Sequence, residues 1–517
     1  MQRILVWFLA CWSLLAAACA ANRPAASADT LAQRLAAADS LVRDGCFDCL
    51  AAAYEQYDAL QHVPAIAERA TSGAIEAAIL MAVREAELGI PAGPRRQLAG
   101  SIADAGWSPL LEIASALPSS PRATSERELA RRQVAFRNRQ AFTDRLRARA
   151  DADAASAYLW VAFNCSYGGL GEPRLEEWLA AIPSWRDTPL IRYRAATCGG
   201  QDVDELRALL QSNARFVEIR YLLGLHAVAE RQFDPAIEQF RTLYDARPEW
   251  PVVPEALAGA YFAVEDFAEA LTFFDRTLES SPDSPDALLG KARTLTHLGR
   301  YADAIASLNE LVAAGRWFVG DARYWRAFDE TQLARYDEAW ADVEEAAKYL
   351  VNPDVPKLAG IIAFRRRQFD VARARLEDAR RRNAKDCETS YQLGLVLSEQ
   401  RDWTNATRVL DDANACLDSE DQQLGEEIAR LRSSDAPASR RDQQLARRER
   451  QLATNARMRA TSWFNSAVAF FYLSKPDEAK QYAERVAADE QLGARARALL
   501  SRLEPAAGER PADRTPG

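Results

Sequence analysis

Along the middle of the chain a large aromatic residue is followed, three positions on, by a small one, and the pair keeps returning: Phe233/Ala236, Phe267/Ala270, Tyr301/Ala304, Tyr336/Ala339, Phe369/Ala372 and Trp403/Ala406. The successive spacings are 34, 34, 35, 33 and 34 residues. Self-similarity at such a period marks a stacked array, in which each unit buries its apolar face only against its neighbours. The pattern predicts an all-α chain of helix pairs. It also predicts a long surface in place of a catalytic pocket, and therefore a binding scaffold.

The copies carry more than the paired marks. Residues 217–250 hold Leu223, Gly224, Phe233, Ala236, Phe240 and Pro248, and residues 251–284 hold Leu257, Tyr261, Phe267, Ala270, Phe274 and Pro282. Four more centre on Tyr301/Ala304, Tyr336/Ala339, Phe369/Ala372 and Trp403/Ala406, and a last one opens at Trp463 and runs through Phe470, Ala479 and Val486. Small residues let helices approach while aromatics fill the gap, so the constellation is a packing code. It resembles the tetratricopeptide repeat (TPR), a helix-turn-helix unit of about 34 residues. The resemblance implies a right-handed superhelical solenoid of antiparallel helix pairs.

The organisation then reads as a leader over 1–20, divergent helical repeats over 21–214, the array over 215–420, Arg-rich inserted helices over 421–459, a last repeat with a capping helix over 460–503, and a disordered tail over 504–517. In the divergent part, Leu50, Tyr54 and Leu60 fit a second helix, while Trp160, Trp178, Trp185 and Tyr193 mark the core of two degenerate pairs over 154–214. The Arg-rich stretch over 121–149, like 421–459, reads as a solvated face of an inserted helix or as a contact for anionic lipid.

With 517 residues, 48% hydrophobic and 27% charged, the chain has ample material for a core. A net charge of -9 gives no general reason to expect nucleic acid as a partner, which normally needs a basic face. The first twenty residues have the form of an export signal, with basic Arg3 before an uncharged apolar run from Ile4 to Ala18. Two processing readings compete. Leu15-Ala-Ala-Ala-Cys19 resembles a lipobox and makes Cys19 a lipidated mature N-terminus; Ala18-Cys19-Ala20 is alternatively an ordinary cleavage site. The chain is accordingly expected in the bacterial outer membrane facing the periplasm, anchored by lipid, or soluble in the periplasm.

Six cysteines lie outside the leader, and six allow fifteen pairings. The repeat register selects local ones. Cys387 opens a first helix and Cys416 follows the end of the second; Cys165 and Cys198 lie 33 residues apart at the ends of successive first helices; Cys46 and Cys49 sit at a turn into a helix. A redox or metal role for Cys46-x-x-Cys49 is the alternative, although the βαβ setting of thioredoxin-like sites is missing and no second cysteine pair completes a zinc site.

By the resemblance, first helices line the concave face and their inward side chains meet partners. Those positions are Tyr221, Leu225, Phe262, Leu289, Tyr324, Phe328, Ile361, Phe364, Tyr391 and Leu395. A one-turn shift of register would put many of them in the core instead. Relatives that bind chaperone tails use a basic clamp on this face; here Arg293 and Lys357 stand isolated between apolar residues, which excludes that partner class. With His62, His226 and His297 the only histidines, and no zinc-protease, nucleophile-elbow or P-loop motif, no enzyme, metal or cofactor is indicated. The leading expectation is an envelope adaptor that binds a protein or peptide. A polysaccharide-export accessory and a thiol-disulfide protein using Cys46 and Cys49 are the alternatives.

Overall fold

The computed structural model describes residues 28–90, 107–117, 133–167, 172–198, 200, 202–315 and 318–503. The leader with Cys19, part of the 121–149 stretch and the 504–517 tail lie outside them. The described residues are all-α, without a strand. They fall into two compact units, Met1–Val253 and Pro254–Gly517.

The N-terminal unit is built around one helix. Ala154–Tyr167 buries eleven of its fourteen residues, as a helix that is apolar all round must. The helices Ala67–Leu88, Ser108–Ala116, Arg139–Arg147, Glu172–Ala180 and Pro189–Ala196 pack against it. Phe142 meets Phe163 edge-on at 5.7 Å, and the Trp160 indole donates to the Trp178 carbonyl at 2.9 Å. Trp160, Trp178 and Tyr193 are core residues, whereas Trp185 is half-buried under the Arg43 guanidinium at 4.5 Å. Helices Ala28–Asp44 and Phe47–Leu60 form a hairpin through Gly45, whose φ of 69° suits glycine and where a Cβ would stand 2.5 Å from Leu190.

This core also swallows charge. Arg84 is fully buried; it donates to Glu218 at 2.7 Å and to the Tyr158 hydroxyl at 3.3 Å, and lies 3.6 Å over the Tyr193 ring. Glu218 in turn accepts from the Phe47 backbone amide at 2.8 Å. Such a pair tolerates burial only while both members are present.

The C-terminal unit keeps the period. First and second helices alternate: Phe267–Ser280 completes the first pair, followed by Pro285–His297 with Tyr301–Ala314, Val319–Gln332 with Tyr336–Ala346, Asp354–Arg365 with Phe369–Arg382, and Cys387–Glu399 with Trp403–Arg432. Asp266, Ser284 and Asp386 cap their helices by accepting from the amides of Glu269, Ala287 and Thr389. The small marks Ala270, Ala304, Ala339, Ala372 and Ala406 are fully buried. At Gly394 a Cβ would stand 2.4 Å from Leu410, so only glycine permits that approach.

The period is also written in the backbone. Arg231, Glu265, Gly299, Ala334, Arg367 and Arg401, each two residues before an aromatic mark, all have positive φ. The following amide donates to a carbonyl five residues back, for example Asp266 to Tyr261 at 2.9 Å and Arg335 to Glu330 at 2.8 Å. This is the Schellman closure of a helix end, made here five times out of six without glycine.

Two expectations need correction. Residues 421–459 are not separate inserted helices, and Cys416 does not follow a helix end. The second helix Trp403–Arg432 runs thirty residues, and Ala438–Tyr472 runs thirty-five, straight into the last pair with Pro476–Val486 and the capping Gly493–Leu503. No proline interrupts either helix, and the only glycine is Gly425; the chain turns at Ser433–Pro437. The two form a hairpin, tied by Asn455 to Asp421 at 2.8 Å and by Arg459 to Asp418 and Asp421.

Candidate functional site

All ten positions assigned to the first-helix face are half-buried, neither in the core nor fully exposed. Helical period explains this. In each first helix the residues beside them, such as Gly224, Ala292, Ala327, Ile362 and Gly394, face the partner helix and are buried. Tyr221 and Leu225 stand in the N-terminal unit, where Tyr221 lies 5.9 Å from Phe240.

In the C-terminal unit the structure brings Tyr324, Phe328 and Ile361 together around an open cavity of about 430 Å³. Its rim is polar: Gln332, Lys357, Arg365, Glu388 and Gln392. Burial pushes the Tyr324 hydroxyl up to about 12, with Asp354 nearby adding to the shift, so it stays protonated and can donate. Leu289 packs between neighbouring pairs, Phe364 meets Phe369 at 5.9 Å, and Tyr391 shares a side-chain hydrogen bond with Thr461. Leu395 lines no part of the cavity.

The two basic residues on this face behave differently. Lys357 is not isolated, contrary to the sequence reading: its ammonium lies 2.9 Å from Asp386, 3.5 Å from Glu388 and 3.7 Å from Asp354. Against the cost of burial these acids raise its pKa and hold it charged. Arg293 has no hydrogen-bond or ion-pair partner among the described residues; it lies 4.8 Å over Phe262 and 5.4 Å from the Trp325 ring, and burial lowers its pKa. Neither offers a free cationic clamp.

Sequence reading missed Trp325, Arg365, Gln332 and Gln392. Gln332 and Arg365 stand four residues on from the assigned Phe328 and Ile361, and a helical-wheel count from those would have found them; Gln392 follows Tyr391 directly and lies off its face of the helix. Trp325 carries no mark of its own, because its neighbour Tyr324 already fills the expected position.

The cysteines meet in three disulfides, Cys46–Cys49, Cys165–Cys198 and Cys387–Cys416. Cys46 and Cys49 are fully buried, and the Cys46 sulfur caps the helix by accepting from the Cys49 amide at 2.9 Å. Among the described residues no cluster of three or more His, Cys, Asp or Glu is placed to hold a metal, and no helix is long and apolar enough to cross a membrane.

Two stretches, 261–327 and 357–416, match family models described as tetratricopeptide repeat, so the chain carries such repeats. No curated protein sequence matches the chain. Among solved structures it is similar to pilF of Pseudomonas aeruginosa, at 14% identity over 50% of this chain and 99% of that one, TM-score 0.36. The quorum sensor NprR of B. thuringiensis aligns at 14% identity over 61% and 97% of the two chains, TM-score 0.39. YrrB, a TPR protein with an unusual peptide-binding site, aligns at 16% identity over 44% and 97%, TM-score 0.32.

Proposed function

We propose that this repeat-bearing chain is a non-enzymatic adaptor of the bacterial envelope that binds a peptide or protein segment on the first-helix face of its C-terminal unit. The observation that carries the reading is the cavity among Tyr324, Phe328 and Ile361 with its amide and charged rim. Rigid rings and a branched aliphatic offer anchoring area at small entropic cost, and Gln332 and Gln392 can pair with a peptide backbone. The leader supports export, with Cys19 as a lipid anchor in the outer membrane or with ordinary cleavage into the periplasm. Three disulfides among the described residues fit an oxidising compartment. Complete burial of Cys46 and Cys49 weighs against thiol-disulfide exchange, which needs an accessible sulfur.

Panning a displayed peptide library on the purified protein tests the proposal. Enriched peptides should bind saturably, and Ile361→Asp should weaken them at least tenfold while leaving circular dichroism unchanged. Equal binding by the variant, or saturation by soluble polysaccharide with no peptide enriched, would contradict it.

A further inference from the structure

The long hairpin does something the repeats do not need: it returns to the start of its own unit. At its tip Gln444 donates to the Val264 carbonyl at 2.6 Å, Arg448 forks onto both Glu265 carboxylate oxygens at 3.0 and 3.2 Å, and Arg447 lies 4.1 Å over the Phe267 ring. These contacts join residues about 180 positions apart, across all the intervening pairs. At its base the hairpin reaches the first-helix face through Thr461 and Tyr391. An open space of about 850 Å³ separates it from the turn before Cys387.

The repeats supply an internal control for the tip contact. Phe267, Tyr301, Tyr336, Phe369 and Trp403 occupy one register position in successive pairs. Phe267 is buried at 3% exposure, while the other four are half-buried. What distinguishes Phe267 is its company: Arg447 from the hairpin, and His297 stacked at 4.7 Å. Glu265 stands out in the same way. Its counterparts at the positive-φ turns are Gly299, Ala334, Arg367 and Arg401, none of them acidic, and it alone meets arginines of opposite charge. The acid matches the tip.

We infer that the 417–459 hairpin is a strap across the first-helix face, latched at Glu265, and that it gates entry to the site proposed above. The inference rests on that proposal for what is gated, but not for the latch itself. The cavity at Tyr324, Phe328 and Ile361 belongs to pairs that lie in sequence between the strap's two contact points, Glu265 and Tyr391, and no strap residue lines it. Its volume of about 430 Å³ takes side chains of an extended segment, whereas a three-turn helix about 10 Å wide and 16 Å long occupies on the order of 1,300 Å³. On this inference the strap bounds the approach to the cavity and not its volume, and a folded partner reaches the face when the strap lifts. Because the latch is an ion pair still partly open to solvent, salt weakens it.

The latch is tested on the full-length protein without any partner. Trypsin cleavage after Arg447, Arg448 and Arg450, followed by mass spectrometry, reads whether the tip is docked; bis-ANS fluorescence reads whether apolar surface is uncovered. Glu265→Arg should speed cleavage at least tenfold and raise bis-ANS fluorescence severalfold, with circular dichroism unchanged. The double variant Glu265→Cys/Arg448→Cys, oxidised, should be cleaved more slowly than wild type after Arg447 and Arg450, the two sites it retains, and bind no more dye. Wild-type cleavage rates in Glu265→Arg would overturn the latch. Fast cleavage without added dye binding would overturn the gating, leaving a hairpin that docks but covers nothing. Failure of the peptide experiment with these results intact would remove the proposed cargo and keep the strap.

Discussion

The two units spend similar amounts of chain on different kinds of core. The N-terminal unit concentrates one large cluster around a helix with no exposed face, and buries a charged pair, Arg84 and Glu218, inside it. The C-terminal unit divides its core into small clusters, each shared by adjacent pairs, such as Ala327, Val343 and Leu358 in one and Ala372, Leu393 and Val409 in the next. A concentric core leaves its helices no common free face. A segmented one leaves the same face open in every repeat, and there the candidate site lies.

The largest expected effect is in the first kind of core. Arg84→Met strands the Glu218 carboxylate in the interior and should cost about 3–5 kcal/mol. Calorimetry should show the N-terminal transition collapsing while that of 254–517 holds. If both fall together, the units are one cooperative body and the contrast fails.

Opening the Cys387–Cys416 loop by replacing both residues with serine should cost about 3–4 kcal/mol in the chain-entropy model. Hydrogen exchange should localise the loss to the Asp354–Arg365 pair onward. Gly394→Val should cost about 1–3 kcal/mol by overpacking against Leu410, confined to neighbouring pairs. Spread of either effect through the whole unit would argue against a segmented core.

How much of this was legible in advance follows the same division. Where the 34-residue marks persist, spacing located the helix pairs and the buried alanines, because each side chain's environment repeats, while the ten face positions came from the family resemblance, with a shift into the core left open. In the N-terminal unit, Trp160, Trp178 and Tyr193 were recognisable as core, but nothing local says that Ala154–Tyr167 is the centre or that Arg84 finds Glu218, 134 positions away. The strap was hidden for a related reason. Arginines in 440–450 look solvated by composition, and Glu265 looks like one more turn residue; only their meeting gives them a role. Lys357 was misread because its acids, Asp386 and Glu388, belong to the next pair.

Acid stabilises both units through buried carboxyls, since burial raises Glu76 in the N-terminal unit to about 7 as well; in the C-terminal unit the source can be isolated. Burial raises the Asp329 carboxyl to about 7, although Thr296 donates to it at 2.8 Å. A raised folded-state pKa gives stability that is complete below the unfolded value near 4 and is lost as pH climbs through about 7. The C-terminal unit should therefore melt at a lower temperature at pH 8 than at pH 5, and Asp329→Asn should reduce that slope, leaving the share of Glu330, which burial also raises to about 7. An unchanged slope would exclude Asp329 as its source. The smallest effect should come from Ala334→Gly: relieving a left-handed alanine gains up to about 1 kcal/mol after glycine's own entropic penalty. Thermal denaturation checks it.

The central claim is that partners meet the open face of the segmented unit. Photo-crosslinking from a benzophenone side chain at Phe328, with the same group at the exposed Phe136 of the N-terminal unit as comparison, tests it most directly in the producing cell envelope. The account predicts a discrete adduct from Phe328 that disappears with Ile361→Asp and none from Phe136. Adducts from Phe136 alone, or from Phe328 regardless of Ile361, would contradict it.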